Sequence, residues 1–411
     1  MPLNRIHKTL SAEMNDLRLA GPLKGDETVF RAVVPATGDR GPRFLLEGGG
    51  DQPYLRMNSN SYLGLSLDPE VMEAEEKAAR AYGAGPGAVR FISGSWAPHV
   101  ALEERLADFH GQEAAMIFSS AYAATISVLV PLITAETTVV SDELNHNCII
   151  NAMRMARPVK KRIYRHLDLQ HLETCLEESV GTCKRVIVVT DGIFSMRGDH
   201  APLKEIAAIV GRFDDRFEEG VILLVDDSHG VAAFGATGRG TEEVTGCEGV
   251  DLTIATLGKA LGVNGGYVVG SRTVLRYLRE KAPIYIYSNP ITPAEAAAAL
   301  KALEIVDSPK GRGLLDHLRK MTRRFETGLT ELGYETIPGE HPVVPLMVRD
   351  TAKTTALVAH LRENHILATG LNFPVVPKGD EEIRFQINAS HTVADIDECL
   401  AVVGSFESPD L

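Results

Sequence analysis

A doubly wound α/β sheet with a smaller second domain is predicted by three features of this chain. Short apolar runs alternate with helical patterns from residue 114 to residue 271. Several of those runs are continuous and β-branched, as strands covered on both faces require. The length, 411 residues, exceeds what one compact core accommodates, so a second lobe is expected.

The strand candidates follow one another at regular spacing: AAMIF (114–118), TTVVSD (137–142), RVIVVTDG (185–192), VILLVDD (221–227), DLTIATLG (251–258) and GGYVVGS (265–271). Helical stretches separate them, including AATISVLVPLI after the first run and a segment from Cys148 after the second. Alternation of this kind places successive strands in one sheet with helices on its faces. Before it, residues 1–56 read as an amphipathic helix and a Gly/Pro-rich arm, leaving 57–292 as the large domain. From Pro293 the texture changes. PAEAAAALKALEIVDS is a strong helix signal with Pro in its first turn. The runs VVPLMVR, HILATGL and EIRFQINAS then alternate with helices, so 293–411 reads as a linker helix and a small α+β domain.

Bulk chemistry excludes several classes. With 42 Lys and Arg against 55 Asp and Glu, the formal charge is −13 and no dense basic cluster interrupts it. Nucleic acid and anionic membranes both need a basic footprint, so neither is an expected partner. The five cysteines are odd in number and dispersed, with neither metal-ligand spacing nor a disulfide pattern. No signal-peptide run or membrane-spanning apolar stretch is present, and a soluble, cytoplasmic protein without a metal is expected. GAGPGAV (83–89) superficially suggests a dinucleotide fingerprint, but no β-branched strand precedes it and Pro86 interrupts the helix start.

The chemistry-bearing residues cluster at strand ends. Lys259, in TLGKALGVNGGY, follows a buried strand. A solitary lysine is ordinarily a solvated charge, but one at a strand's carboxyl end is partly desolvated, which frees its amine for Schiff-base chemistry. Thr256, three residues earlier, offers a hydroxyl for a phosphate. In VILLVDDSHG, Asp226 lies at the carboxyl edge where ligands bind in open α/β sheets, placed to pair with a protonated pyridine nitrogen. His229 is spaced to reach a ring oxygen, although a helix-capping Asp and a structural His would look the same. IFSSAYAATIS passes from strand to helix through small residues, so the N–H groups near Ala121 and Tyr122 form an anion site. His146 in DELNHNC is placed to stack on a flat ring, and Ser195 in TDGIFSMRGD to bond its oxygen. Arg384 in EIRFQIN offers a bidentate fork for a carboxylate.

Seven segments in order, NSYLGL (60–65), GAVRFISG (87–94), SDELNHN (141–147), TDGIFSMRGD (190–199), VDDSHG (225–230), TLGKALG (256–262) and IRFQINASHT (383–392), resemble the α-oxoamine synthases. These are fold-type I pyridoxal-phosphate (PLP) transferases that condense an amino acid with an acyl-CoA, and the resemblance implies a large doubly wound mixed-sheet domain with a smaller α+β C-terminal domain. The resemblance runs from about Asn58 to the C-terminus. It implies PLP as cofactor, Lys259 as Schiff-base lysine and base, and Asp226 on the pyridine nitrogen. It implies His229 and Ser195 on the ring oxygen, His146 on the ring face, and Ala121, Tyr122 and Thr256 on the phosphate. Asn60 and Arg384 would hold the substrate carboxylate. A homodimer with shared active sites is implied, with Ser288 reaching the partner's phosphate.

TLGKALG, RFISG and PIYIYSNPITP most resemble the glycine C-acetyltransferase (2-amino-3-ketobutyrate CoA ligase) branch, for which glycine and acetyl-CoA would be the substrates. Thr125, Tyr122 and Ala88 depart from that branch's pattern, standing where Asn, Phe and a hydroxyl residue are expected. An 8-amino-7-oxononanoate-type synthase using alanine and a longer acyl-CoA, with decarboxylation, is the alternative within the family. A PLP aminotransferase is the alternative outside it.

Overall fold

A computed structural model describes residues 3–20, 27–373 and 375–407. It divides into two compact units, one of residues up to Ser59 together with Lys320 onward, the other Asn60–Arg319.

The larger unit is built on seven strands: β1 (Ala114–Phe118), β2 (Thr137–Asp142), β3 (Lys160–Tyr164), β4 (Arg185–Asp191), β5 (Val221–Asp226), β6 (Leu252–Thr256) and β7 (Gly266–Gly270). Their order is β1-β7-β6-β5-β4-β2-β3, and β7 runs antiparallel to both neighbours while β3, β2, β4, β5 and β6 run parallel. The mixed sheet expected from the sequence is therefore present. Continuous apolar runs are explained by burial on both sides. Ile187 and Val189 of β4 pack with Val128, Leu129 and Ile149 on one face, while Val186 and Val188 pack with Leu203, Ile206 and Phe213 on the other. Each such side chain contributes roughly 1.5–3 kcal/mol of burial. The sequence pattern does not reveal β3. Its residues KKRIY are mostly exposed, as befits an edge strand protected from further pairing by charge.

Local capping fixes where the helices start. In α1 (Pro69–Tyr82) Asp68 accepts from the Glu70 N–H and Pro occupies the first position. After α2 (Ala97–His110), α3 (Ala121–Leu132) begins at Ser120, whose hydroxyl accepts from the Ala123 N–H. α4 (Asn147–Ala156) begins at His146. α5 (Pro293–Val306) opens with a reciprocal capping box between Thr292 and Glu295 and packs on α1 and α2 inside the larger unit. No described helix is long and apolar enough to cross a membrane.

In the smaller unit the helix Asn4–Ala20 fits the amphipathic pattern, but the arm after it carries structure that its Gly and Pro content hides. Phe30–Val34, Arg43–Leu46 and Pro53–Arg56 form a sheet completed by Ile366–Leu367. Those strands are too short for a periodicity to announce them, and only Pro53–Arg56 pairs with a distant segment, Ile366–Leu367. A second sheet pairs Val343–Met347 with Glu382–Gln386, bringing Arg384 opposite Pro345 and Thr369. The arm is fastened to the C-terminal helix by a buried ion pair. Arg43 reaches Asp395 at 2.7 Å and Glu398 at 2.9 Å, with the Arg43 and Asp395 side chains 8% and 0% exposed.

Arg43→Met leaves that carboxylate buried without its countercharge and is expected to cost about 3–5 kcal/mol in urea unfolding. A loss below about 1 kcal/mol, the range of exposed pairs, would show that the pair is not what fastens the arm.

Candidate active site

The carboxyl ends of β1, β2, β4, β5 and β6 open on one cavity of about 250 Å³. It is lined by Ser120, Ala121, Tyr122, His146, Asp191, Ser195, Asp226, His229, Thr256 and Lys259, together with Cys148, Ile193 and Ser228. Eight residues singled out in the sequence (Lys259, Asp226, His229, His146, Ser195, Ala121, Tyr122 and Thr256) thus share one chamber. They come from five separate strand ends because a parallel sheet delivers every one of those ends to the same edge.

At its centre stands Asp226, 6% exposed. One carboxylate oxygen accepts from the Ser228 N–H at 3.1 Å, and the other meets Thr125 Oγ1 at 3.4 Å and Cys148 Sγ at 3.7 Å. Beside it in β-sheet register lies Asp191, whose N–H donates to Asn145 Oδ1 and whose Oδ2 accepts from the His146 N–H. Burial, and then the charge of Asp226, push Asp191 well above the ordinary carboxylate range. Its neutral form is favoured, which spares the site two adjacent charges.

His146 caps α4. Its Nδ1 accepts from the Cys148 N–H at 3.3 Å and meets Cys148 Sγ at 2.9 Å, so the ring proton belongs on Nε2. Burial holds its pKa below the ordinary value, with Lys259 adding to the effect against the opposing pull of Asp226. On the other side, His229 Nδ1 lies 2.8 Å from the Tyr62 hydroxyl, which in turn donates to Asn60 Oδ1 at 3.2 Å. With that proton committed, Nδ1–H of His229 is the donor to Tyr62.

The α3 end of the cavity is shaped for an anion. The N–H groups of Ala121 and Tyr122 have no partner among the described residues, while that of Ala123 is taken by Ser120. Gly266 makes the approach possible: a Cβ there would sit 2.2 Å from the Ala121 nitrogen. The Thr256 hydroxyl faces the same cavity but donates to the Gly265 carbonyl at 3.1 Å and accepts from the Gly258 N–H at 3.0 Å. Asp191 Oδ1 and Ser228 Oγ are buried without a partner. A cradle of free N–H groups, a buried carboxylate, a flat neutral imidazole and an amine make a donor set that fits PLP. Ser288 does not line this cavity; it lies in a smaller recess with Arg90, Phe118 and Asn289. Arg384 belongs to the smaller unit.

Sequence reading passed over Asp191, Cys148, Ser228 and Tyr62. Asp191 carried a readable signal, since VVTDG ends its strand in an Asp just as LLVDD does. Cys148 and Tyr62 act through contacts that only folding creates.

The loops carrying these groups converge on a third buried carboxylate, Asp227. It accepts from the N–H and the hydroxyl of Thr241, both at 2.7 Å. A Cβ on Gly192, Gly230 or Gly240 would come within 2.2, 2.2 and 2.0 Å of it. The backbones after β4, β5 and the following loop are thus packed against one side chain.

This seven-stranded mixed sheet with its strand-end cavity defines a fold-type I PLP-dependent transferase, and over residues 52–403 the chain matches, and belongs to, the aminotransferase class I and II family. Within that family it is an α-oxoamine synthase. It is 38% identical to the 8-amino-7-oxononanoate synthase of Symbiobacterium thermophilum, covering 95% of both chains. It is 36% identical to the mitochondrial 2-amino-3-ketobutyrate coenzyme A ligase of Bos taurus, covering 97% of this chain and 91% of that one. A high-resolution structure of SPT with PLP internal aldimine superposes with a TM-score of 0.84 at 25% identity, covering 98% of this chain and 97% of that one.

Gly266→Ala drives a methyl group into the Ala121 backbone, and the strain is expected to weaken PLP binding roughly tenfold or more. Titrating cofactor-free protein with PLP and following its visible absorbance measures this; unchanged affinity would remove the α3 cradle from the cofactor site.

A pH effect follows from His166, which joins Asp142 at the end of β2 (3.0 Å) to Asp199 in the loop carrying Ser195 (3.2 Å). Burial opposes its charge, but hydrogen bonds to the two carboxylates prevail and raise its pKa to about 9. The folded value exceeds the unfolded one of about 6.5, so the stabilisation is complete below about pH 6.5 and disappears as pH rises through 9. The difference in unfolding free energy between the native chain and His166→Gln is expected to be largest near pH 6. A difference constant from pH 6 to 10 would reject the charged bridge.

Proposed function

We propose that this chain condenses a small amino acid with an acyl-CoA and releases CoA, with glycine and acetyl-CoA as the preferred pair. The observation that supports it most is the convergence of Lys259, Asp226, His146 and His229 on one strand-end cavity. PLP, when bound, supplies an electron sink that acidifies the proton on the carbon bearing the substrate's amino group. Lys259 would hold the cofactor through its amine and take that proton at Nζ, while Asp226 would keep the pyridine nitrogen protonated. Its Ser228 contact fixes the carboxylate's plane. His229, oriented by Tyr62, and Ser195 would bond the ring oxygen. His146 would lie on the ring face, where a neutral imidazole adds no charge to oppose the protonated ring. The N–H groups of Ala121 and Tyr122, with Thr256, would take the phosphate. Asn60 and Arg384 would hold the substrate carboxylate, and a second copy of the chain would bring Ser288 to the phosphate in a homodimer.

A second reading, alanine with a longer acyl-CoA and loss of carbon dioxide, is favoured by the slightly higher identity to the 8-amino-7-oxononanoate synthase, 38% against 36%. Thiol release by the PLP-loaded protein separates the two. Glycine-dependent release from acetyl-CoA is expected; release only with alanine and a longer acyl-CoA would favour the second reading. Amino-group exchange with a keto acid and no thiol release would instead make the chain an aminotransferase. Lys259→Ala is expected to abolish both thiol release and the visible absorbance of the protein-linked cofactor, and survival of that absorbance would reject Lys259 as the anchor.

A further inference from the structure

The smaller unit contains its own cavity of about 360 Å³, and among the described residues no carboxylate lines it. On a chain with 13 more acidic than basic residues that is an unusual wall, and two arginines, Arg56 and Arg362, contribute to it. Neither guanidinium has an ion pair or hydrogen bond among the described residues.

Elsewhere this unit and its neighbour treat buried arginines differently. Arg43 is matched by Asp395 and Glu398, and Arg90 by Glu103. Arg56 instead stacks on aromatic rings, its guanidinium carbon 4.5 Å from the Phe30 centroid and 5.4 Å from that of Phe44. An aromatic face attracts a guanidinium but does not neutralise its charge as a carboxylate would. The Arg56 Nε is buried with no partner, and so is the Oδ1 of Asn58, two residues on. Burial lowers the Arg56 pKa, and no carboxylate among the described residues opposes that pull. Asn58 already touches Thr369 Oγ1 through its amide nitrogen at 3.2 Å, so turning the amide exchanges donor and acceptor roles with a hydroxyl that accommodates either. The turn would aim N–H groups at an anion. Val358 and Ile366 give the same cavity an apolar wall.

A buried N–H without a partner, on a half-buried and unneutralised guanidinium, is costly unless something answers it. We infer that this pocket binds a small anionic ligand, its carboxylate or phosphate oxygens held by Arg56 and Arg362 and its hydrocarbon part by Val358 and Ile366. The two aromatic rings hold the Arg56 fork in place, and preorganisation of that kind favours affinity. The site rests on none of the residues assigned to PLP or to the amino acid.

Calorimetric titration of the PLP-loaded protein with succinate and with inorganic phosphate, at low ionic strength, tests the inference. Saturable binding of at least one probe is expected, retained in Arg384→Met and weakened about tenfold in Arg56→Met. Succinate alone would mark a carboxylate site, phosphate alone a phosphate site, and both a general anion site. Arg362→Met, at an exposed position, is expected to weaken the same binding and serves if Arg56→Met does not fold. Absence of binding by either probe overturns the inference, as does binding lost in Arg384→Met but unchanged in Arg56→Met and Arg362→Met.

Discussion

Burial of both faces of the seven-stranded sheet is the constraint from which the rest follows. An ionisable group cannot stand in the middle of β4 or β5, because neither helix layer could solvate it. Polar chemistry is pushed to the strand ends, and the parallel strands deliver those ends to one edge. Asp191 and Asp226 arrive there side by side in register, as do the turns carrying His146, His229 and Lys259. Two adjacent buried carboxylates would repel, and burial together with the charge of Asp226 raises the Asp191 pKa, which favours the neutral form of one of them. The electrostatics of the cavity are therefore a consequence of strand pairing.

Holding such groups in place requires support behind them. Asp227 supplies it, although it is not one of the residues that line the chamber. Its carboxylate, satisfied by Thr241, occupies the space that side chains on Gly192, Gly230 and Gly240 would otherwise fill. Three glycines around one carboxylate let three loop backbones close onto a single charged group. The Tyr62 contact performs the same service for His229, and Cys148 for His146. Positioning in this protein is done largely by residues whose own chemistry is unremarkable.

The smaller unit shows the same economy of charge and one departure from it. Asp395 serves its helix as capping residue, the arm as an acceptor from Gly41, and Arg43 as countercharge. Arg56, a few residues before the large unit begins, has aromatic faces in place of a carboxylate. An acidic chain can therefore carry a local positive pocket, provided the arginines that form it are left without internal partners.

Strand existence, strand ends and the site residues at them were legible in the sequence because both-face burial writes itself as continuous β-branched runs closed by polar turns. The runs before Asp226 and Lys259 show this most clearly. The edge strand Lys160–Tyr164 was not legible, since an exposed, charged strand leaves no apolar pattern. Nor were the strands of the N-terminal arm, each too short to show a pattern, the last of which pairs with Ile366–Leu367 some three hundred residues away. By itself the sequence determined the layered fold, the cofactor class and the residues that a strand end presents. Only the tertiary structure decided that β7 runs antiparallel, that Asp191 shares the site, that Asp227 locks the loops, and that Arg56 has no ion pair among the described residues. Local patterns record what each side chain must avoid, whereas register, proximity and pairing are set by contacts between segments distant in the chain.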